Sequence, residues 1–177
     1  MFKIESIDPA HYRKRTRNAT LIIMAVFIVI GFAFASLTVK YLGEYSNNKL
    51  VLNLMGAFVG LMLTAYIIKT FFANKPWMKE SMYAWRLKRS LMHITNVLKK
   101  VQEAAQQGDT HALKVMRFYH LGLEHMHKLE ANSSALIDII AEKKEVEAKM
   151  VELGLDLNQT EFDPEWVERY KSDEHEE

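Results

Sequence analysis

The chain of 177 residues contains no cysteine. Disulfides, zinc-thiolate sites and cysteine nucleophiles are thereby excluded, and thiol usage says nothing about redox compartment. Glycine is scarce, with seven residues, and the glycine-built signatures G-x-x-x-x-G-K-[ST], G-x-G-x-x-G and G-x-S-x-G are absent. H-E-x-x-H is absent too, so no nucleotide-binding or hydrolase motif points to an enzyme. Charge is missing in two places: 21 residues between Asn18 and Lys40, and 19 between Lys49 and Lys69, carry no acidic or basic side chain. A proton or ion pathway normally needs such groups inside a span, which argues against a stand-alone transporter. Asn53, Thr64 and Tyr66 are the main polar side chains of the second stretch.

Each uncharged stretch is long enough to cross a hydrocarbon core of about 30 Å at about 1.5 Å per residue. The first, LIIMAVFIVIGFAFASLTV, is apolar on every face, whereas a soluble core helix keeps a polar stripe. Ala33-Phe34-Ala35 resembles a signal-peptidase site, but the apolar run continues past it to Val39. The reading is two transmembrane helices, 19–39 and 50–68, joined by the short polar loop 40–49 with Gly43 and Asn47-Asn48 for the reversal. Five basic residues precede the first span (Lys3, Arg13, Lys14, Arg15, Arg17) and five follow the second (Lys69, Lys75, Lys79, Arg86, Lys88). The loop has only Lys40 and Lys49, so the positive-inside rule predicts both termini in the cytoplasm.

The net charge of +1 hides an asymmetry: residues 1–18 carry +3, residues 69–100 carry +7 and residues 101–177 carry −10. A basic collar beside the spans suits a lipid bilayer with an anionic cytoplasmic leaflet, each Lys or Arg contributing about 1 kcal/mol. No nucleic-acid-binding module accompanies it, so nucleic acid is not an expected partner. Gly56 and Gly60 form a G-x-x-x-G pair, and Gly31 with Ala35 a second small-residue pair, suited to close helix packing within the hairpin or between two chains.

Segment 1–18 reads as a basic N-terminal anchor, with Ile7-Asp8-Pro9 as a turn or cap. Residues 69–85 mix Phe71, Phe72, Trp77, Tyr83 and Trp85 with lysines and read as an interfacial belt. Asn74 and Pro76 predict a new helix start. The cytoplasmic helical domain, 69–154, then shows a heptad seam at Leu87, Leu91, Ile94, Leu98, Val101 and Ala105, ended by Gly108. Asp109 and Thr110 cap a second helix, whose apolar face includes Val115, Phe118, Leu123 and Leu129. After a break at Asn132-Ser133-Ser134 a third helix carries Leu136, Ile139, Val146, Met150 and Leu153, with Lys143 out of pattern and Gly154 closing it. Such stripes must bury against each other or against a partner chain, predicting an antiparallel bundle or coiled coil and, from the seam, self-association. The tail 155–177 carries one short helix capped by Asp163-Pro164, its Phe162, Trp166 and Tyr170 facing one way, and a polar end, Ser172 to Glu177, expected to be disordered.

One constellation resembles a site. His120, Glu124 and His127 lie within about 60° on a helical wheel, and Glu124-x-x-His127 matches half of a di-iron carboxylate motif. The second Glu-x-x-His that such bundles need is absent, and the three residues fall roughly opposite the apolar stripe, which predicts a solvated face. They are weak metal candidates, and no cofactor is expected.

The order of parts resembles an inner-membrane family of bacteria with two spans, the domain of unknown function DUF3087. The residues carrying the resemblance are Ile7-Asp8-Pro9 with Tyr12-Arg13 before the first span, and Glu152-Leu153-Gly154-Leu155-Asp156 after the helical region. It implies a hairpin with a helical cytoplasmic domain in the bacterial inner (plasma) membrane, and brings no catalytic or binding residue. The expected fold is therefore all-α: a two-helix transmembrane hairpin followed by a cytoplasmic helical bundle or coiled coil. The expected function is that of a non-catalytic adaptor or assembly protein, partnered by itself or another membrane protein. The alternatives are an accessory subunit of a larger membrane enzyme or transporter, and a metal-binding helical protein using His120, Glu124 and His127.

Overall fold

The computed structural model describes residues 1–46, 48–132 and 137–171. Its elements run β1 (Phe2–Lys3), α1 (Pro9–Leu42), α2 (Lys49–Ile67), a wide turn Ile68–Phe72, a short 3-10 turn Pro76–Met78, α3 (Lys79–Thr95), α4 (Leu98–Gln106), α5 (Thr110–Glu130), α6 (Ile137–Glu152), β2 (Glu161–Phe162) and a 3-10 helix Pro164–Tyr170. The fold is all-α apart from the two-residue strand pair. It divides into two compact units, one of Lys14–Met82 and one of Met1–Arg13 with Tyr83–Glu177.

In the first unit, Pro9–Leu42 and Lys49–Phe72 give two helices long and apolar enough to cross a membrane, with mean hydropathy of 2.7 and 2.0 over their most apolar windows. The loop between them is shorter than the uncharged stretches suggest, because α1 persists to Leu42; Asn48 then caps α2 by accepting from Val51 N at 3.2 Å. Asn47 lies outside the described residues. Gly56 and Gly60 are buried against α1. A Cβ at Gly60 would meet Gly31 Cα at 2.7 Å, and one at Gly56 would meet Ala35 Cα at 2.5 Å. The two small-residue pairs thus pack on each other inside the hairpin, the first of the two arrangements the sequence leaves open. Thr38 and Thr64 donate back to Phe34 O and Gly60 O, each at 2.8 Å, so neither hydroxyl is left unpaired.

In the second unit the core joins residues of α3, α4, α5 and α6 to Tyr12, Phe162, Val167 and Tyr170. The N-terminal segment is part of it and not a free anchor: β1 pairs antiparallel with β2 in the register Phe2 to Phe162, and Ile4 N donates to Thr160 O at 2.9 Å. Arg13 donates to Leu129 O at 3.2 Å, a cation on the last-turn carbonyls of α5. Tyr83, read as part of an interfacial belt, is buried here, and its hydroxyl accepts from Glu5 N at 3.1 Å.

The seam needs three corrections. Leu87 to Ala105 is not one helix; it breaks at Asn96-Val97, where Val97 N reaches back only to Ile94 O and the Thr95 hydroxyl bonds Leu91 O. Leu87, Leu91, Ile94, Val101, Val146 and Met150 are nevertheless buried within the single chain, with Leu98 packed beside them and Ile139 half-buried. The argument for self-association from an unpaired seam therefore falls away. Leu153 is 47% exposed and lies past the end of α6, so it leaves the seam, while Leu136 lies outside the described residues. The start of α3 is also modified: Pro76 takes the first helical position, but Lys75, not Asn74, occupies the cap and makes no side-chain bond. Phe162, Trp166 and Tyr170 pack back on their own bundle, Phe162 stacked on Phe118 at 5.0 Å. Ser172 to Glu177, with Ser133 and Ser134, lie outside the described residues.

Two substitutions test this packing in the full chain in detergent. Gly60→Leu drives a side chain into the backbone of Gly31 and is expected to destabilise the hairpin by about 1–3 kcal/mol, whereas Met62→Leu, at a 59% exposed position, is expected to be neutral. Ala131 ends α5 at φ 57° in the left-handed region, so Ala131→Gly is expected to stabilise the bundle by about 1 kcal/mol. Denaturant midpoints check both, and unchanged midpoints contradict the local geometry.

Candidate functional site

Helix α5 positions the one candidate constellation. Its start is fixed by Asp109, whose carboxylate accepts from His111 N at 2.7 Å and Ala112 N at 3.2 Å. Beyond the cap, Ala112, Leu113, Val115, Met116, Arg117, Phe118, His120, Gly122 and Leu129 are all buried. Burial that nearly fills one stretch of a helix means cover on several sides, supplied here by α4, α6, β2 and the C-terminal 3-10 helix. Gly122 brings in α3 as well: a Cβ there would meet Leu91 Cδ2 at 2.8 Å.

That cover overturns the expected solvated face. His120 is 0% exposed, and Glu124 and His127 are half-buried. A wheel argument with one apolar stripe fails for a helix that has neighbours on both flanks of the stripe.

The polar groups of α5 meet those of α6 in antiparallel order. Arg117, 8% exposed, donates from Nη1 to Glu147 Oε1 at 2.5 Å and from Nε to Leu157 O at 2.7 Å. His120 Nε2 stands 3.4 Å from Glu142 Oε2, while Gln102 of α4 donates to Glu142 Oε1 at 2.6 Å. Lys143 Nζ reaches Glu124 Oε2 at 2.5 Å, and Lys128 reaches Oε1 at 2.6 Å. Lys143, out of pattern in the sequence, is thus the partner of Glu124. Lys149 donates to Gln106 O at 3.1 Å, placing a cation on the C-terminal carbonyls of α4.

The electrostatics follow from these contacts. Hydrogen bonds from Lys128 and then Lys143 hold the Glu124 carboxyl at about 2, well below its ordinary 4.5. Burial pushes His120 below 6.5, against the opposing pull of Glu142, so the imidazole is neutral near pH 7. At 3.4 Å and without hydrogen-bond alignment, the Glu142 contact does not satisfy the ring, and neither His120 nitrogen has a hydrogen-bond partner among the described residues. A cavity of about 140 Å³ beside it is lined by His120, Glu124, Ile139, Ile140 and Lys143, and not by His127. The three candidates are therefore not brought to one point, and among the described residues no group of three His, Asp or Glu side chains is placed to hold a metal ion. A carboxylate shared by two ammonium groups is a poor ligand and a weak base. Sequence reasoning missed Arg117, Gln102, Glu142 and Glu147. The available signal was an arginine set between the apolar Met116 and Phe118.

The profile of a family described as "Protein of unknown function (DUF3087)" matches residues 2–167. No curated protein and no solved structure matches the chain.

The titrations give a signed expectation. His120 is depressed in the folded state, so the unfolded chain binds more protons and stability falls as pH drops through 6.5. His111 and His125, also lowered chiefly by burial, add to that window. Glu124 is depressed as well, so its contribution is present above 4.5 and is lost between 4.5 and about 2. Denaturant midpoints of the full chain are expected to fall in these two steps on acidification. His120→Leu is expected to shrink only the upper one, and an unchanged pH profile in that variant contradicts the assignment.

Proposed function

The chain belongs to the DUF3087 family, and we propose that it is a membrane-anchored helical adaptor or assembly protein without catalytic activity. The hairpin serves as the anchor, in a bacterial inner (plasma) membrane, and both termini lie in the cytoplasm with the helical bundle. The observation that carries this reading is the engagement of the polar row on α5. Glu124 is shared by Lys128 and Lys143, and Arg117 by Glu147 and a carbonyl, which makes the row a structural seam and not a reaction centre. The orientation rests on ten basic residues flanking the two apolar helices against two in the loop. The anionic leaflet is the lipid partner of that collar.

Two measurements test the proposal. In intact cells, Ser46→Cys is expected to react with an impermeant thiol reagent; the wild-type chain has no competing cysteine. Labelling only after the cells are broken reverses the topology. Mass measurement after gentle detergent extraction is expected to show assemblies of this chain. A stoichiometric foreign subunit instead makes the chain an accessory subunit of a larger membrane complex.

A further inference from the structure

Asn53 lies on α2 one turn in from Lys49, which places its amide about 6 Å deeper along the helix axis. It is exposed on the surface of the hairpin, and among the described residues nothing pairs with its side chain. The hydroxyls of Thr38 and Thr64 are satisfied within their own helices, so Asn53 differs from them in being left open. Beside it runs a groove of about 640 Å³ between α1 and α2, with Phe27, Phe32, Ala35, Leu54 and Ala57 among its lining. The groove borders the Gly56/Gly60 contact and shares Gly31 and Ala35 of α1 with it, whereas Asn53, Leu54 and Ala57 of α2 lie outside that contact.

We infer that this groove receives a second copy of this chain, with the Asn53 amides of the two copies hydrogen-bonded to each other in a parallel two-fold dimer. The inference rests on the membrane-spanning reading proposed above. An acyl chain fills apolar volume but offers an amide neither donor nor acceptor, and an unpaired amide in hydrocarbon is costly. A carboxamide is self-complementary, with one oxygen acceptor and two N–H donors. Two copies inserted with the same topology hold Asn53 at the same depth, so a two-fold axis near this residue brings donor to acceptor twice. The small side chain of half-buried Ala57, one turn from Asn53, allows close approach of a helix, and exposed Ile28, Phe32 and Leu50 supply side chains to fill the partner's groove.

The absence of cysteine makes a direct test simple. The full chain carrying Asn53→Cys is oxidised in native membranes beside Val51→Cys, which sits near the same depth but about 160° round the helix. A covalent homodimer is expected in high yield from the first and not from the second. In vesicles, Asn53→Leu is expected to weaken dimerisation by roughly threefold to twentyfold, and Asn53→Gln to retain it. Equal yields from the two cysteine variants, a cross-link from Asn53→Cys only to a chain of different mass, or undiminished dimerisation of Asn53→Leu overturns the inference. Release of the chain from membranes by alkaline carbonate overturns the spanning reading as well. Retention in the membrane with a monomeric Asn53→Cys variant overturns the dimer alone.

Discussion

Helix α5 is covered on so many sides that its polar residues cannot all reach water, and the organisation of the bundle follows from that constraint. A guanidinium with 8% exposure, an imidazole with none and a half-buried carboxylate must find partners inside the protein or forfeit several kcal/mol each. Arg117 and Glu124 find theirs on α6 in reversed order, in Glu147 and Lys143, while neutral His120 faces Glu142 at 3.4 Å without a hydrogen bond. Antiparallel pairing of α5 and α6 in this register satisfies the charged groups, and a shift by one turn would leave a buried charge unpaired. Apolar packing of Val146 and Met150 gives the contact its adhesion, while the charged row selects its register.

The same demand for cover draws in both ends of the chain. Four helices leave Phe118 open on one side, and the ring of Phe162 closes it, brought there by β2 and held by the pairing of β2 with β1. Phe2 adds an edge contact to Phe118 and a tilted one to Tyr83. The residues that carry the family resemblance lie at such junctions. Asp8 caps α1 by accepting from His11 N at 2.7 Å, Tyr12 is buried in the core, and Leu155 N closes α6 on Met150 O at 2.8 Å.

The sequence carries its local signals plainly and its long-range ones hardly at all. The apolar helices are evident from uncharged length, and the caps at Asp109 and Asp163 from residue type, because each depends on neighbours within a few positions. Most heptad residues of α3 to α6 are buried as the periodicity implies. The break at Asn96-Val97 leaves no mark in the apolar pattern, because a 4-3-4 spacing survives a turn that keeps both helices against the same core. The strand pair could not be read, since two residues at each end of the chain have no period of their own. The burial of His120 is hidden from a helical wheel for a related reason: the wheel knows one helix, and the groups beside His120, Ile139, Glu142 and Lys143, come from α6, about twenty positions away.

The central claim is that the polar row of α5 is held by pairing across the bundle, and a double-mutant cycle on Arg117 and Glu147 tests it most directly. Arg117→Leu, Glu147→Leu and the double variant are compared by reversible unfolding of the full chain in detergent. A coupling energy of roughly 1–3 kcal/mol between the two sites is expected. Additive effects, with coupling below about 0.3–0.5 kcal/mol, would contradict the claim.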